Sequence, residues 1–422
     1  MAQLIPIPRG TKDVVPGEIY KWQFVEDTAR CVARDFGFTE IRFPTFEHTE
    51  LFERGVGDTT DVVQKEMYTF LDKGGRSITL RPEGTASVVR SFLTNSLHAG
   101  GLPLKVFYIA PNFRYEKPQA GRLREHHQFG VECFGAEGAA ADAEIIGLAA
   151  TYINRLGLKN VSLELNSVGC PKCRPGFHDA LKKYFGGHRE KLCGTCHDRL
   201  ERNPLRILDC KDEACGEIAK DAPIGLDFLC DECNAHLAQL KGYLDAMEIS
   251  YSVNPRIVRG LDYYTRTVFE FVSEQIGAQG TLCGGGRYDG LTEVLGGGST
   301  PALGFGSGIE RMLLVMEAEG VSIPKPQGPS MFIAVLGGNA DIPAQKLTHD
   351  LRKLGISAQR DLASRGLKAQ MKYANKIGAK YSAVLGDDEL SAGVVKIKNM
   401  DTGEETACST DAISIAAILG VK

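Results

Sequence analysis

The spacing of apolar residues changes period several times along the chain, and each change marks an element. Residues 16–36 (PGEIYKWQFVEDTARCVARDF) bring Ile19, Trp22, Phe24, Val25, Cys31, Val32 and Phe36 near helical spacing, with Pro16 suited to a first turn and Gly37 as the stop. Phe38–Phe43 reads as a strand ended by Pro44. Two short strands, MYTFLD and SITLRP, flank the turn Lys73-Gly74-Gly75. The second leads through Arg81-Pro82-Glu83-Gly84-Thr85 into a helix. Glu83 and Thr85 therefore sit at a strand-to-helix junction, where a carboxylate or hydroxyl can cap free N–H groups. Residues 113–135 (FRYEKPQAGRLREHHQFGVECFG) read as a strand, a long polar turn and a return strand. On the return strand Phe129, Val131 and Cys133 point one way and Gln128, Gly130 and Glu132 the other. A face with Arg114 at one end and Gln128 and Glu132 further along can hold a small polar ligand together with an anion.

Downstream, residues 139–156 carry helical periodicity and 161–166 a strand. Arg256, Arg259, Gly260, Asp262, Tyr263 and Tyr264 lead into the strand RTVFEFV, a combination suited to a pocket wall. In GTLCGGGRYDG, Gly284–Gly286 allow either close backbone approach or a flexible turn, with Tyr288 just beyond. The small residues of GFGSGIERM precede a helix and place Arg311 near the floor of a cleft. Neither the G-x-G-x-x-G fingerprint nor a P-loop is present. After a proline-rich linker at 321–329, strand and helix patterns alternate, which predicts a small α/β domain with mostly parallel neighbours. Its lysines 368, 372, 376 and 380 form a cationic stripe, either a solvated helix face or a contact for an RNA backbone.

Composition narrows the class. A chain of 422 residues is too long for one core, so two to four domains are expected. Its 43% hydrophobic and 24% charged residues are those of a globular protein. No apolar run reaches membrane-spanning length, and the N-terminus lacks the features of a signal peptide. These features point to a cytoplasmic protein without a membrane partner. With a net charge of −4, any nucleic-acid contact must come from local patches. Eight of the twelve cysteines lie in four pairs: Cys170/Cys173, Cys193/Cys196, Cys210/Cys215 and Cys230/Cys233. A close pair can offer two thiolates to one ion, and two pairs complete a tetrahedral S4 site. Spacing leaves open which pairs combine, and buried unliganded thiols remain the alternative. No histidine or open position in the pattern suggests that such a metal, a structural zinc, would do chemistry.

Together these segments resemble class II aminoacyl-tRNA synthetases, and within them the histidyl-tRNA synthetase family. The helix and strand ending at Pro44 are similar to the first class II motif, FRYE through the return strand to the second, and GFGSGIERM to the third. RPEGT, LDYYTRTVFEF and GGGRYDGL narrow the resemblance to histidine, and the class I signatures HIGH and KMSKS are absent. The resemblance spans nearly the whole chain. It implies an α/β multi-domain fold in which the catalytic domain is built on a mixed, mostly antiparallel sheet flanked by helices. A Cys-rich insertion domain and a small C-terminal α/β anticodon-binding domain complete it. The expected bounds are 1–166 and 250–322 for the catalytic domain, 167–249 for the insertion and 330–422 for the anticodon-binding domain. Carried over by motif, Arg114 and Arg259 flank the ATP α-phosphate, Arg311 binds the ATP tail, and Glu83 acts with Thr85 on the α-amino group. Glu132 and Tyr264 grip the imidazole, Tyr263 and Tyr288 line the pocket, and Gln128 bonds the bound amino acid. The turn bearing Lys117, Gln119, Arg122 and Arg124 meets the acceptor end of tRNA(His). Lys117 stands where related sequences often carry arginine, and lysine lacks the two-pronged fork. The implied reaction uses ATP with Mg²⁺, L-histidine and tRNA(His), in a homodimer. Regulatory paralogues of ATP phosphoribosyltransferase share this ancestry, but such proteins generally lack the C-terminal domain and lose activation residues that this chain keeps. A zinc-stabilised RNA-binding module is the other alternative, and it leaves the pocket signatures unexplained.

Overall fold

A computed structural model describes residues 4–57, 60–210, 212–257 and 259–420. The chain divides into two compact units, 1–323 and 324–422. The strands of the first are β1 (Thr39–Glu40), β2 (Phe46–His48), β3 (Tyr68–Leu71), β4 (Ser77–Leu80), β5 (Leu104–Phe113), β6 (Glu125–Phe134), β7 (Ser162–Ser167), β8 (Ser252–Val253), β9 (Thr265–Val272), β10 (Thr281–Arg287) and β11 (Ala302–Gly308). Eight of them form one sheet in the order β1-β5-β6-β11-β10-β9-β7-β8. Its inner pairs are antiparallel, and the outermost pairs, β1/β5 and β7/β8, are parallel. β2, β4 and β3 make a separate three-stranded sheet.

Alternation along the large sheet separates a packing face from a functional face. Phe129, Val131, Cys133, Phe269, Phe271, Leu303 and Phe305 join the main core. Helices Ile19–Asp35, Ala139–Arg155 and Ile309–Ala318 contribute to the same core. The opposite face presents Tyr108, Gln128 and Glu132 and is bordered by helix Thr85–Thr94. Arg81 fastens that border. It donates to the carbonyls of Phe43 (3.1 Å), Pro44 (2.8 Å) and Pro111 (2.7 Å), so the segment ending at Pro44 is tied to both β4 and β5.

Several local expectations change in the folded chain. The first helix begins at Ile19, and Pro16 lies in the turn before it. The strand expected over 38–43 pairs only at Thr39 and Glu40, because proline ends it and Arg81 takes the carbonyls of residues 43 and 44. Gly284–Gly286 lie inside β10, paired on both sides, and not in a flexible turn.

Residues 170–246 form a helical module with helices Arg174–Gly186, Gly194–Arg202, Glu213–Lys220 and Asp231–Ala246. Its core includes Phe177, Leu181, Phe185, Leu200 and Ile207. The second unit contains β12 (Met331–Val335), β13 (Ala358–Arg360), β14 (Tyr381–Leu385), β15 (Val394–Asn399) and β16 (Glu405–Ser409), in the order β13-β12-β14-β15-β16. Two of its pairings are parallel and two antiparallel, so the sheet is evenly mixed and not mostly parallel. The difference arises at β15, which runs antiparallel to β14, and at its hairpin partner β16, whose short polar run ETACS gives no apolar alternation to read. Among the described residues, no helix is long and apolar enough to cross a membrane.

Arg287, fully buried, locks the end of β10 to helix Ala139–Arg155. It pairs with Asp142 and donates to the carbonyls of Ala136 (2.8 Å) and Gly138 (3.2 Å). Burial disfavours the Asp142 charge, but His236 and Arg287 beside it hold its pKa below the usual value. Replacing Arg287 by methionine strands that carboxylate and is expected to cost about 3–5 kcal/mol in chemical denaturation. Adding Asp142→Leu should recover much of the loss. A double variant as unstable as the single one contradicts this account.

Candidate active site

The functional face is built around a buried carboxylate. Glu132, 1% exposed, accepts hydrogen bonds from Thr85 Oγ1 at 2.7 Å and from the Tyr288 hydroxyl. It fits only because β11 carries glycine opposite it. Gly304 pairs with Glu132 in register, and a Cβ there would lie 2.1 Å from Glu132 Oε2. Gly306 clears Gln128 in the same way, since a Cβ would fall 1.9 Å from Nε2. Burial raises the Glu132 pKa to about 8, despite the hydrogen bonds from Tyr288 and Thr85.

Glu83 is buried beside this group and caps helix Thr85–Thr94. Its two oxygens accept from the backbone N–H groups of Thr85 (2.8 Å) and Ala86 (2.7 Å). Burial raises its pKa, against the pull of those N–H groups and of Arg114. Capping thus falls to Glu83, while the Thr85 hydroxyl turns toward Glu132. Tyr263 lies with its ring centre 4.7 Å from that of Tyr264 and 5.6 Å from that of Tyr288. Gln128 accepts from Asn112 Nδ2 at 3.0 Å and from the Tyr108 hydroxyl at 3.3 Å.

Next to this polar pocket lies a cavity of about 190 Å³ whose lining includes Arg114, Gln128, Arg259, Gly284 and Arg311. Arg114 donates Nε to the Pro82 carbonyl at 2.7 Å. Arg311 donates to the carbonyls of Gly121 (2.9 Å) and Thr281 (2.8 Å). Arg259 pairs with Glu270, which also accepts from Thr281 Oγ1 at 2.8 Å. Gly284 leaves room for the Arg259 guanidinium, because a Cβ would come within 2.6 Å of it. Burial works against the Arg259 charge, yet Tyr264 and Glu270 keep its pKa above the ordinary value. His126 shares the cavity. Removal from water first, then Arg114 and Arg311, push its pKa to about 3, so it adds a neutral ring to a cationic site. Three convergent arginines define an anion site of phosphate character.

The expected residues thus fall into two adjoining groups, a carboxylate pocket and an arginine-lined cavity. The turn residues lie at the rim. Arg122 pairs with Glu116, Arg124 stacks over the Tyr115 ring at 3.8 Å, and Gln119 and Arg122 close the turn by paired backbone bonds. Lys117 is exposed. Sequence reasoning missed Tyr108, Asn112, His126 and Glu270. Two signals were present: Tyr108 and Asn112, an even number of residues apart, share a face of β5, and Glu270 interrupts the apolar run of β9.

The eight cysteines resolve into two clusters, Cys170/Cys173/Cys230/Cys233 and Cys193/Cys196/Cys210/Cys215. In the first, Sγ–Sγ separations are 3.6, 3.7 and 3.9 Å. A tetrahedron with metal–sulfur arms near 2.3 Å has edges of about 3.8 Å, so both clusters could hold a metal, each with four sulfurs and no open position.

A mixed, mostly antiparallel sheet presents an arginine-bearing hairpin against a second arginine on the helix after β11, the arrangement that the resemblance to class II aminoacyl-tRNA synthetases implies. Comparison with known proteins agrees. A family model described as histidyl-tRNA synthetase matches residues 10–172 and 225–312, and one described as an anticodon binding domain matches 330–416. A histidine–tRNA ligase from Caldanaerobacter subterraneus subsp. tengcongensis is 56% identical over 413 residues, covering 98% of this chain and 99% of the relative. One from Acetivibrio thermocellus is 55% identical over 410 residues, 97% and 98% of the two chains. The crystal structure of apo S. aureus histidyl-tRNA synthetase matches with a TM-score of 0.84 at 40% identity, covering 98% of this chain and 99% of that one. The chain belongs to the histidyl-tRNA synthetase family.

The Glu132 shift has a consequence for stability. An acid whose folded pKa lies above its unfolded value binds more protons when folded, so stability falls as pH rises from 4.5 toward about 8. Glu132→Gln removes that dependence. The variant is expected to gain on the wild type by up to a few kcal/mol between pH 5 and pH 8.5, read from denaturation midpoints. A difference that stays constant with pH contradicts the burial argument.

Proposed function

We propose that the chain activates L-histidine with ATP and transfers it to the 3′ end of tRNA(His). The observation that carries this reading is the juxtaposition of the buried Glu132 acceptor with the arginine-lined cavity. One group suits an imidazole N–H and the other suits a phosphate, within reach of a single histidyl-adenylate.

In the first step a histidine carboxylate oxygen bonds to the α-phosphorus of ATP. The bond to the bridging oxygen breaks, and pyrophosphate leaves with that electron pair. The protein supplies position and charge. Arg114 and Arg259 flank the α-phosphate, and Arg311 holds the ATP tail. The α-amino group meets Glu83 and Thr85, the imidazole meets Glu132 and Tyr264, and Tyr263 and Tyr288 close the pocket. Gln128 hydrogen-bonds the bound amino acid. Glu116 and Glu310 also line the cavity, and such hard oxygen ligands fit a Mg²⁺ arriving with ATP, which would neutralise phosphate charge. In the second step the terminal ribose hydroxyl attacks the carbonyl carbon of the adenylate, and AMP leaves. The rim with Lys117, Gln119, Arg122 and Arg124 would meet the acceptor end, and the second unit would bind the anticodon. Structural zinc in the two cysteine clusters fits their spacing and their lack of an open position. Exposed Phe46, Phe70 and Leu71 on the small three-stranded sheet support its burial against a second copy in a homodimer. A cytoplasmic location accords with reduced thiols and with substrates drawn from translation.

Purified protein is expected to catalyse ATP–pyrophosphate exchange with histidine and not with the other amino acids; no exchange with any of them overturns the enzyme reading. Arg259→Ala should lose about 10²-fold or more of the exchange rate while histidine affinity stays comparable. Survival of activation in that variant removes the two-sided phosphate clamp. Metal analysis should find two zinc ions per chain, against eight titratable free thiols in the bland alternative.

A further inference from the structure

The two cysteine clusters differ in what they touch. Cys193, Cys196, Cys210 and Cys215 sit within or against the core of the helical module. Cys170 and Cys173 instead follow β7 directly, and the chain between them and that strand is laced to the end of the histidine-pocket segment. Val168 N–H donates to the Arg266 carbonyl at 2.8 Å, and Arg266 N–H donates to the Gly169 carbonyl at 2.9 Å. Arg266 needs this grip. Its φ is +50°, a left-handed conformation that a residue with a Cβ rarely adopts, two positions after Tyr264. The next residue after Cys173 supplies a third tie, since Arg174 Nη2 donates to the Tyr264 carbonyl. Arg174 opens the helix Arg174–Gly186, so its backbone direction follows from where Cys173 is held. Cys230 N–H donates to Cys173 Sγ at 3.1 Å, which brings the far end of the module into the same cluster.

We propose that Arg174 is a positioning residue for the histidine pocket, and that the cluster Cys170/Cys173/Cys230/Cys233 sets its place. Once the four sulfurs are fixed about one ion, residues 168–174 become a rigid brace. The brace holds Arg266 in its unfavourable conformation and Tyr264 by its carbonyl, so the Tyr264 side chain is presented to the imidazole. The second cluster holds the module's own core, whose ties to the pocket segment run from Asn203 and Arg206 to Gly260 and Asp262 and stop short of Tyr264. This inference rests on the histidine site proposed above and, for its metal half, on the zinc reading, whereas the tie of Arg174 to Tyr264 stands on the geometry of this segment.

The test compares four variants by zinc content, by histidine and ATP KM in pyrophosphate exchange, and by histidine Kd from calorimetry. Arg174→Met is expected to keep both zinc ions and the ATP KM while raising histidine KM and Kd about tenfold, the usual weight of a charge-assisted bond to a carbonyl. Arg174→Lys, which can still donate to that carbonyl, should recover most of the affinity. Cys230→Ser should lose one zinc and show the same rise in histidine KM, and Cys210→Ser should lose one zinc with a clearly smaller rise. An unchanged histidine KM in Arg174→Met, or an equal rise in Cys210→Ser, overturns the proposal. Absence of zinc from the wild type removes the metal half, and the two Arg174 variants then decide the positioning role independently.

Discussion

A carboxylate out of reach of water is the constraint on which the site depends. Glu132 sits at the centre of a sheet whose other face is the main apolar core, and desolvation alone pushes it toward the neutral form. The surrounding sequence answers this at several points. Gly304 gives the side chain space, Tyr288 and Thr85 give it donors, and Arg287 fixes the strand that delivers Tyr288. Residues far apart in the chain thus serve one group, and two of them, Thr85 and Tyr288, belong to segments whose sequences first suggested histidine.

The arginine cavity presents the opposite problem. Three guanidinium groups repel one another and need partners when no anion is bound. Arg311 and Arg114 are steadied by backbone carbonyls, and Arg259 by Glu270. Carbonyl partners leave the positive charge in place, which suits a site awaiting phosphate. Glu270 neutralises Arg259, so an anion bound there would exchange with the Glu270 carboxylate. A neutral His126 adds no further repulsion.

Much of this was legible in the sequence, for physical reasons that differ by element. Alternation along 128–133 separates the side chains that face the pocket from those in the core, because the strand period is two and one face is wholly apolar. Pairing of the cysteine pairs was not legible, since all three ways of combining four pairs are open to spacing alone; only the path of helices Arg174–Gly186 and Asp231–Ala246 brings Cys170/Cys173 to Cys230/Cys233. The triple glycine of β10 reads locally as either a close backbone approach or a turn, and the choice for the former follows from strands on both sides that sequence does not display. Partners such as Glu270 and Asn112 went unseen because hydrogen bonds across strands depend on register, and strand β16 because an edge strand need not alternate.

The central claim is that Glu132 selects the amino acid. Calorimetric titration of histidine and of ATP into wild type and Glu132→Gln measures it directly. The account predicts that the variant loses histidine affinity by two orders of magnitude or more, since a site built on hydrogen bonds is sensitive to their loss, while ATP binds almost as before. Equal histidine affinity in the two proteins, or a matching loss for ATP, would contradict it.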